Sequence, residues 1–343
     1  MSEVNELSRR EFLKRAAALG LVLPFWGCID DSPILEDPCP TEVLPPDGRQ
    51  VTCPDGLEAL IREDALLIYE DGVEHRYEEL MRFGYGTDLH FADRSTTRPA
   101  LRQGDVKLRE AIKEWNEAHV DFAVMGGDYT DPDGGSEKED VLADLVYLES
   151  VFDELEAPRH YVMGNHDLDR LTKEEFLEHS AMEELYYSFD HRGIHFVILD
   201  ANYSAPHDDA HYQNGEFSHL DIWINPAQLN WLKRDLEATS TPTVVFCHQR
   251  LARESGDFAN NAADVRQIFL DTDTVTAVFS SHAHENENTV VDGVHYFCMD
   301  AMITGAHPSN AYAVVHIYEN DFIYIDGFKS QESYLRHLHG RRQ

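Results

Sequence analysis

Five short polar clusters lie in order along the chain: Asp88-Leu89-His90, Gly127-Asp128, Gly164-Asn165-His166-Asp167, Cys247-His248 and Ser281-His282-Ala283-His284. Their carboxylates, imidazoles and amide are the oxygen and nitrogen donors that divalent Mn, Fe, Zn or Co accept, and no cysteine cluster offers a structural thiolate site. Two such ions side by side can activate a water and neutralise charge as it builds, so the chemistry open to these residues is hydrolytic. A single cluster says little: Gly-Asp after a strand is usually a turn, and a lone Asp-x-His is more often a surface pair or a cap. The weight comes from the five together.

The elements that must position them read as alternating strands and helices. Residues 83–89 and 122–125 form apolar strands around an amphipathic helix at 106–118, the start of a βαβ unit. A helix at 138–155, a strand at 160–163, a hairpin at 186–189 and 195–199 and a helix at 227–238 follow. Strands at 243–247, 275–279, 294–299, 311–317 and 322–325 complete the pattern. The clusters then fall at strand ends, where the carboxyl ends of sheet strands converge on a crevice. In an extended Asp-x-His the two outer residues share a side, so Asp88 and His90 could grip one ion together, and His282 and His284 likewise. Residues 65–69 and 73–77 flank Asp71-Gly72, a hairpin signal, and are expected as an addition at the domain edge. The fold class is α/β, or an α+β sandwich, with mixed sheets and helices outside.

The order Asp-x-His, Gly-Asp, Gly-Asn-His-Asp, His and His-x-His resembles that of the calcineurin-like metallophosphoesterases, over about residues 83–327. The resemblance implies a four-layer fold, two mixed β-sheets flanked by helices, around two divalent metal ions. Carried over by position, it puts Asp88, His90, Asp128 and His284 on one ion and Asp128, Asn165, His248 and His282 on the other, with Asp128 as bridge. His166 would face the scissile phosphate as electrophile or proton donor, and Asp167 would hold its imidazole. A hydroxide bridging the ions would attack phosphorus in line with the leaving group. Ser281 stands where the family has Gly, so the turn there must tolerate a Cβ. Thr87 to Asp93, Trp115-Asn116, Gln228 to Leu232 and Val315 to Tyr318 further resemble the manganese-dependent ADP-ribose/CDP-alcohol diphosphatase branch and its exported prokaryotic relatives. The implied partner is a phosphorylated small-molecule substrate: a monoester, a diester or a nucleotide-type diphosphate.

Composition sets the surroundings. With 343 residues, 42% of them hydrophobic, the chain can bury a large core, and its net charge of -36 argues against nucleic acid or anionic membrane surfaces as partners. Ser8-Arg9-Arg10-Glu11-Phe12-Leu13-Lys14 resembles a twin-arginine export signal, and the apolar stretch after it, residues 16–26, is too short to span a bilayer comfortably. Residues 1–28 are therefore expected to engage the twin-arginine translocase. Cys28, after Phe25-Trp26-Gly27, resembles a lipobox cysteine that would carry a lipid anchor at the membrane's outer face; ordinary cleavage with Cys28 idle is the alternative. Residues 29–56, rich in Pro, Asp and Glu, read as a tether, 57–330 as one domain and 331–343 as a tail. Cys39 and Cys53 could close a loop, whereas Cys247 and Cys298 sit in apolar runs and read as buried thiols. Candidate substrate contacts are Arg98, Arg102 and Arg250 near the ligand loops, and Tyr212 and Asn214 in an aromatic-rich insertion at 201–226. A second function class stays open, a non-catalytic, metal-stabilised surface binding protein on the same fold, although a merely structural site would need neither His166 nor Asp167.

Overall fold

The computed structural model describes residues 49–338, apart from 53–57, 63–64, 71–72, 95–97, 134–135, 205–221 and 254–257. Three short strands, β1 (Arg49–Thr52), β2 (Glu58–Ile61) and β3 (Ala65–Glu70), lead antiparallel into the 14-residue β4 (Val73–Gly86). Helix α1 (Gly104–Glu117), β5 (Phe122–Met125), α2 (Lys138–Phe152), β6 (Arg159–Tyr161) and α3 (Lys173–His179) follow. Next come β7 (Tyr187–His191), β8 (Ile194–Leu199), α4 (Pro226–Ala238), β9 (Thr243–Cys247), α5 (Ala262–Thr272) and β10 (Val275–Ser280). The chain closes with β11 (Glu287–Val291), β12 (Val294–Cys298), β13 (Ala311–Tyr318), β14 (Phe322–Lys329) and β15 (Tyr334–His337).

These strands make two mixed sheets. A nine-stranded sheet runs β1-β2-β3-β4-β13-β14-β15, with β5 pairing parallel to the far half of β4 and β6 parallel to β5; a six-stranded sheet runs β11-β12-β10-β9-β8-β7. Alternation along each strand sorts side chains into layers. Phe122 and Val124 of β5 join Phe83, Phe196, Phe246 and Phe279 between the sheets, while Ala123 and Met125 face Leu108, Ile112, Trp115 and Leu148 of α1 and α2. Val245 and Cys247 of β9 turn the other way, onto Leu232, Leu236, Val265 and Phe269 of α4 and α5. The result is the expected helix, sheet, sheet, helix sandwich. Cys247 and Cys298 are buried free thiols.

Three local expectations are corrected. The hairpin at 65–77 and the strand at 83–89 are not separate, because β4 runs unbroken from the hairpin into the sheet centre, pairing β3 with its first half and β5 and β13 with its second. Strand β1 lies inside the stretch read as tether: Arg49 reaches Tyr324 Oη at 2.7 Å and Asp326, both on β14, which pins it to the domain. Strand β15 lies in the stretch read as tail, because Leu335 packs with Leu66, Ile68 and Tyr324 in a small cluster of its own. Helix α3 escapes a periodicity reading because it is only seven residues long, held by a reciprocal Thr172–Glu175 capping box. Cys39, Cys53, Tyr212 and Asn214 lie outside the described residues.

Candidate metal centre

The donors leave their strands through left-handed turns. Asp88 (φ 50°), His90 (49°), Asp128 (51°), His282 (67°) and His284 (55°) all have positive φ, a conformation costing an L-residue roughly 1–2 kcal/mol. The extended Asp-x-His is thus corrected: β4 stops at Gly86, and two left-handed residues, not the pleat of a strand, bring Asp88 and His90 to one point. Backbone bonds hold that path, Asp88 N donating to Gly127 O and His90 N to Asp128 O, both at 2.9 Å. Ser281 is not among the positive-φ residues. It is buried and donates its Oγ to Gly126 O at 3.0 Å, so the turn accommodates its Cβ.

Two groups of donors result. In one, Asp88 Oδ1 lies 3.1 Å from His284 Nε2 and 3.8 Å from His90 Nε2, and the two imidazole nitrogens are 3.2 Å apart. In the other, His248 Nε2 lies 3.1 Å from Asp128 Oδ2, with His282 in the same cluster. Asp128 Oδ2 is also 3.6 Å from His90 Nε2, so one carboxylate oxygen stands between the groups. Neighbouring donors about 3.0–3.4 Å apart are what ligands about 2.1 Å from a shared ion present.

The leftover atoms show that the site fits cations. His90 Nδ1 faces Asp131 Oδ2 at 3.0 Å, and His248 Nδ1 faces Gly126 O at 2.9 Å. With its Nδ1 engaged outside, each ring points its Nε2 inward, so that on losing a proton it takes the tautomer a metal ligand needs. Asp88 Oδ1, Asn165 Oδ1 and His248 Nε2 are buried without a hydrogen-bond partner, a loss of about 1–3 kcal/mol each that a cation would remove. Burial opposes charge on all these groups, yet their neighbours prevail. Despite it, the imidazoles of His248, His284 and His90 hold Asp88 well below the usual carboxylate range, and those of His248 and His166 do the same for Asp128. Against its own burial, His90 is raised to about 10 by Asp131, Asp88 and Asp128, and His248 to about 9 by Asp128 and Asp88. A cage of carboxylates that raises its histidines this far is a cage that demands positive charge.

The sequence model of the calcineurin-like phosphoesterases matches residues 81–286, more than half of the chain. The chain belongs to this family. Among its relatives are manganese-dependent ADP-ribose/CDP-alcohol diphosphatases of Oryza sativa subsp. japonica, 24% identical over 78% of this chain and 98% of that protein, and of Homo sapiens, 24% identical over 70% and 88%. Of solved structures, a dimetal phosphatase from Danio rerio shares the fold with a TM-score of 0.63, at 19% identity over 76% of this chain and 100% of its own. As a calcineurin-like phosphoesterase the chain is a hydrolase of phosphoric esters, and its two donor groups fit two divalent metal ions.

Within this phosphoesterase centre, the expected contact between Asp167 and the His166 imidazole does not form. Asp167 is fully buried and accepts from Tyr129 N at 2.8 Å and from Thr130 N and Gly164 N at 3.0 Å, tying the Asp128 loop to the Asn165 loop. The cause is local: His166–Leu168 is a 3-10 turn, in which adjacent side chains diverge by about 120° and residues three apart eclipse. Asp169, three on, accordingly brings its Oδ2 to 3.0 Å from His166 Nδ1, at an angle short of a hydrogen bond. Burial would lower the His166 imidazole, but Asp128 and Asp169 raise it above its ordinary value. Gly164 must stay bare, since a Cβ there would collide with Asp128.

Sequence reasoning missed Asp131 and Asp169; the only signal was an acid three residues past a motif residue. Arg98 pairs with Asp131 at 2.6 Å and with Asp133 at 3.1 Å, which makes it a brace behind His90. Arg102 is exposed and lines a cavity of about 270 Å³ with Phe91, Asp93 and Asp144, outside the donor groups. Arg250 is buried over the Phe258 ring and paired with Glu285 and Glu287, because the acidic loop after His284 folds onto it. In the insertion, Tyr203 is buried in the domain, its carbonyl accepting from Trp223 N at 2.8 Å.

Two outcomes follow from this cage. His90 and His248 sit at about 10 and about 9 in the fold, above the ordinary 6.5, so the stability they add is complete below about 6.5 and is lost as pH climbs through 9 to 10. Melting temperatures of metal-free protein should fall across that window, and Mn(II), which takes the deprotonated rings, should restore them; a flat metal-free profile would contradict the assignment. Asp167→Asn replaces one of the two carboxylate oxygens that together accept from three backbone N–H groups, and should cost about 1–3 kcal/mol in chemical denaturation together with weaker Mn(II) binding. Unchanged stability would refute the clamp.

Proposed function

We propose that this phosphoesterase hydrolyses nucleotide-type diphosphates of the ADP-ribose or CDP-alcohol kind, and that it does so outside the cytoplasm. The observation that carries the reading is Asp128 Oδ2, standing 3.1 Å from His248 Nε2 and 3.6 Å from His90 Nε2, which supports taking the two donor groups as one dinuclear site. The choice of diphosphate is supported by relatives of that activity, one of which is matched over 98% of its length. Asp88, His90, Asp128 and His284 would hold one ion, and Asp128, Asn165, His248 and His282 the other. Bound there, the ions supply positive charge for the phosphoryl oxygens and lower the pKa of the attacking water.

The chain's own groups do the rest. Asp131 and Gly126 O fix the tautomers of His90 and His248, so their Nε2 lone pairs stay directed at the centre. His166, part-exposed beside His90 with ring centroids 4.8 Å apart, is in neither of the two donor groups; it clusters instead with His90 and Asp131, its Nδ1 3.9 Å from Asp131 Oδ2. Burial opposes its charge but Asp128 and Asp169 raise its pKa above the ordinary value, and a protonated ring there would stabilise the phosphoryl oxygens or hand a proton to the leaving oxygen. His166→Ala should therefore lower kcat by roughly 10²–10⁴ with little change in KM; equal turnover would remove His166 from the mechanism. With Mn(II) bound, ADP-ribose and a CDP-alcohol should be cleaved in preference to a phosphomonoester and a phosphodiester, and hydrolysis of the simple esters alone would overturn the diphosphate choice. The fold also serves other ends. The Plasmodium protein GAP50, described as the anchor in the inner membrane complex, shares it with a TM-score of 0.53 at 14% identity over 77% of this chain and 90% of its own. Two bound ions and no turnover on any ester would favour the binding-protein reading.

Export rests on Arg9-Arg10 and the apolar stretch at 16–26, and anchoring on Cys28. Replacing Arg9 and Arg10 by lysine should retain the protein in the cytoplasm, and Cys28→Ser should move it from the membrane to the soluble exported fraction. Unchanged fractionation in both would refute the address.

A further inference from the structure

A chain of buried polar groups joins two of the donor loops, and the mechanism above does not use it. Lys173, Asp200, Asn202, Gln228 and Gln249 are wholly shielded from solvent. Lys173, at the start of α3, pairs with Asp200 Oδ2, and its ammonium lies 3.7 Å from the centroid of the Tyr203 ring. Gln228 on α4 exchanges two hydrogen bonds with the Asp200 backbone, at 2.9 and 2.7 Å. Asp200 Oδ1 in turn accepts from Asn202 N and Asn202 Nδ2, both at 2.9 Å.

Asn202 is where this chain meets the centre. Its Nδ2 also donates to Met163 O at 2.8 Å, and its Oδ1 accepts from Gln249 Nε2 at 3.1 Å. Both amide hydrogens and the carbonyl are thereby engaged, so the partners leave it one orientation. Met163 precedes Gly164-Asn165, and Gln249 follows His248. A single amide thus spans the loop after β6 in one sheet and the loop after β9 in the other, the loops that carry Asn165 and His248. A buried ion pair is a poor way to stabilise a core. As a fixed seat for an amide that must not move, it has a purpose.

We propose that Asn202 is a positioning residue for the second ion, setting the separation of Asn165 and His248 from its seat on the Lys173–Asp200 pair. The inference rests on the two-ion reading given above. Calorimetric Mn(II) titration, with electron paramagnetic resonance at two equivalents, tests it on the full chain. Wild type should bind two ions as an exchange-coupled pair. Asn202→Ala should keep the ion held by Asp88, His90 and His284 within about threefold of its affinity, bind the other roughly 10–100-fold more weakly, and show the spectrum of isolated Mn(II). Asn310→Ala removes an equally buried amide, bonded to Lys107 O and Glu110 instead; it should lower the melting temperature and still bind two coupled ions. Wild-type binding of both ions by Asn202→Ala, or equal weakening of both ions, would overturn the proposal. Should Asn202→Ala not fold, Gln249→Met cuts only the arm toward His248 and must weaken the second ion alone; unchanged binding there would equally overturn it. A wild type that binds fewer than two ions would instead sink the two-ion reading itself.

Discussion

The protein is arranged around a concentration of buried negative charge. Asp88 and Asp128 are buried almost completely, and Asp131 stands directly behind His90. Carboxylates in that position cannot stay ionised without nearby positive charge. In the metal-free chain the histidines supply it by holding protons far above their ordinary range; with two divalent ions the same rings would give up protons and become ligands. The centre thus has two charge states, and the fold must tolerate each of them.

That requirement explains the four layers. A shared cage needs donors from several strands to converge within a few ångströms, and parallel strands with helices on the outside deliver their carboxyl ends to one edge. The inter-sheet aromatic packing of Phe83, Phe122, Phe196, Phe246 and Phe279 makes that edge rigid. Rigidity is what the left-handed turns at five donors draw on, since strained backbone persists only where the surroundings over-determine it. Asp167 and Asn202 serve the same end from inside, one joining the Asp128 and Asn165 loops, the other the Asn165 and His248 loops.

Much of this was legible beforehand. The strands at 122–125 and 243–247 appear with the bounds their apolar runs suggest, because short buried strands end where polar ligands begin. Asp88, His90, Asp128, His248, His282 and His284, which gather in the two groups, were legible for the same reason. Strands β1 and β15 were not, since each is held by contacts with distant partners, Arg49 with Tyr324 and Asp326, and Leu335 with Leu66. Asp167 was assigned to the wrong partner because adjacency in sequence says nothing of direction within a 3-10 turn. Arg250 looked like a phosphate contact until Glu285 and Glu287 closed on it.

The sequence by itself determined the identity and order of the donors, and hence the reaction class, because ligand chemistry belongs to side-chain type and strand ends follow from local apolar patterning. Only the tertiary structure decided how close those donors come to one another and which groups hold each imidazole in its tautomer. Those are distances between atoms up to 194 residues apart in the chain, as for His90 and His284. No local pattern encodes them; they exist once two sheets have packed face to face.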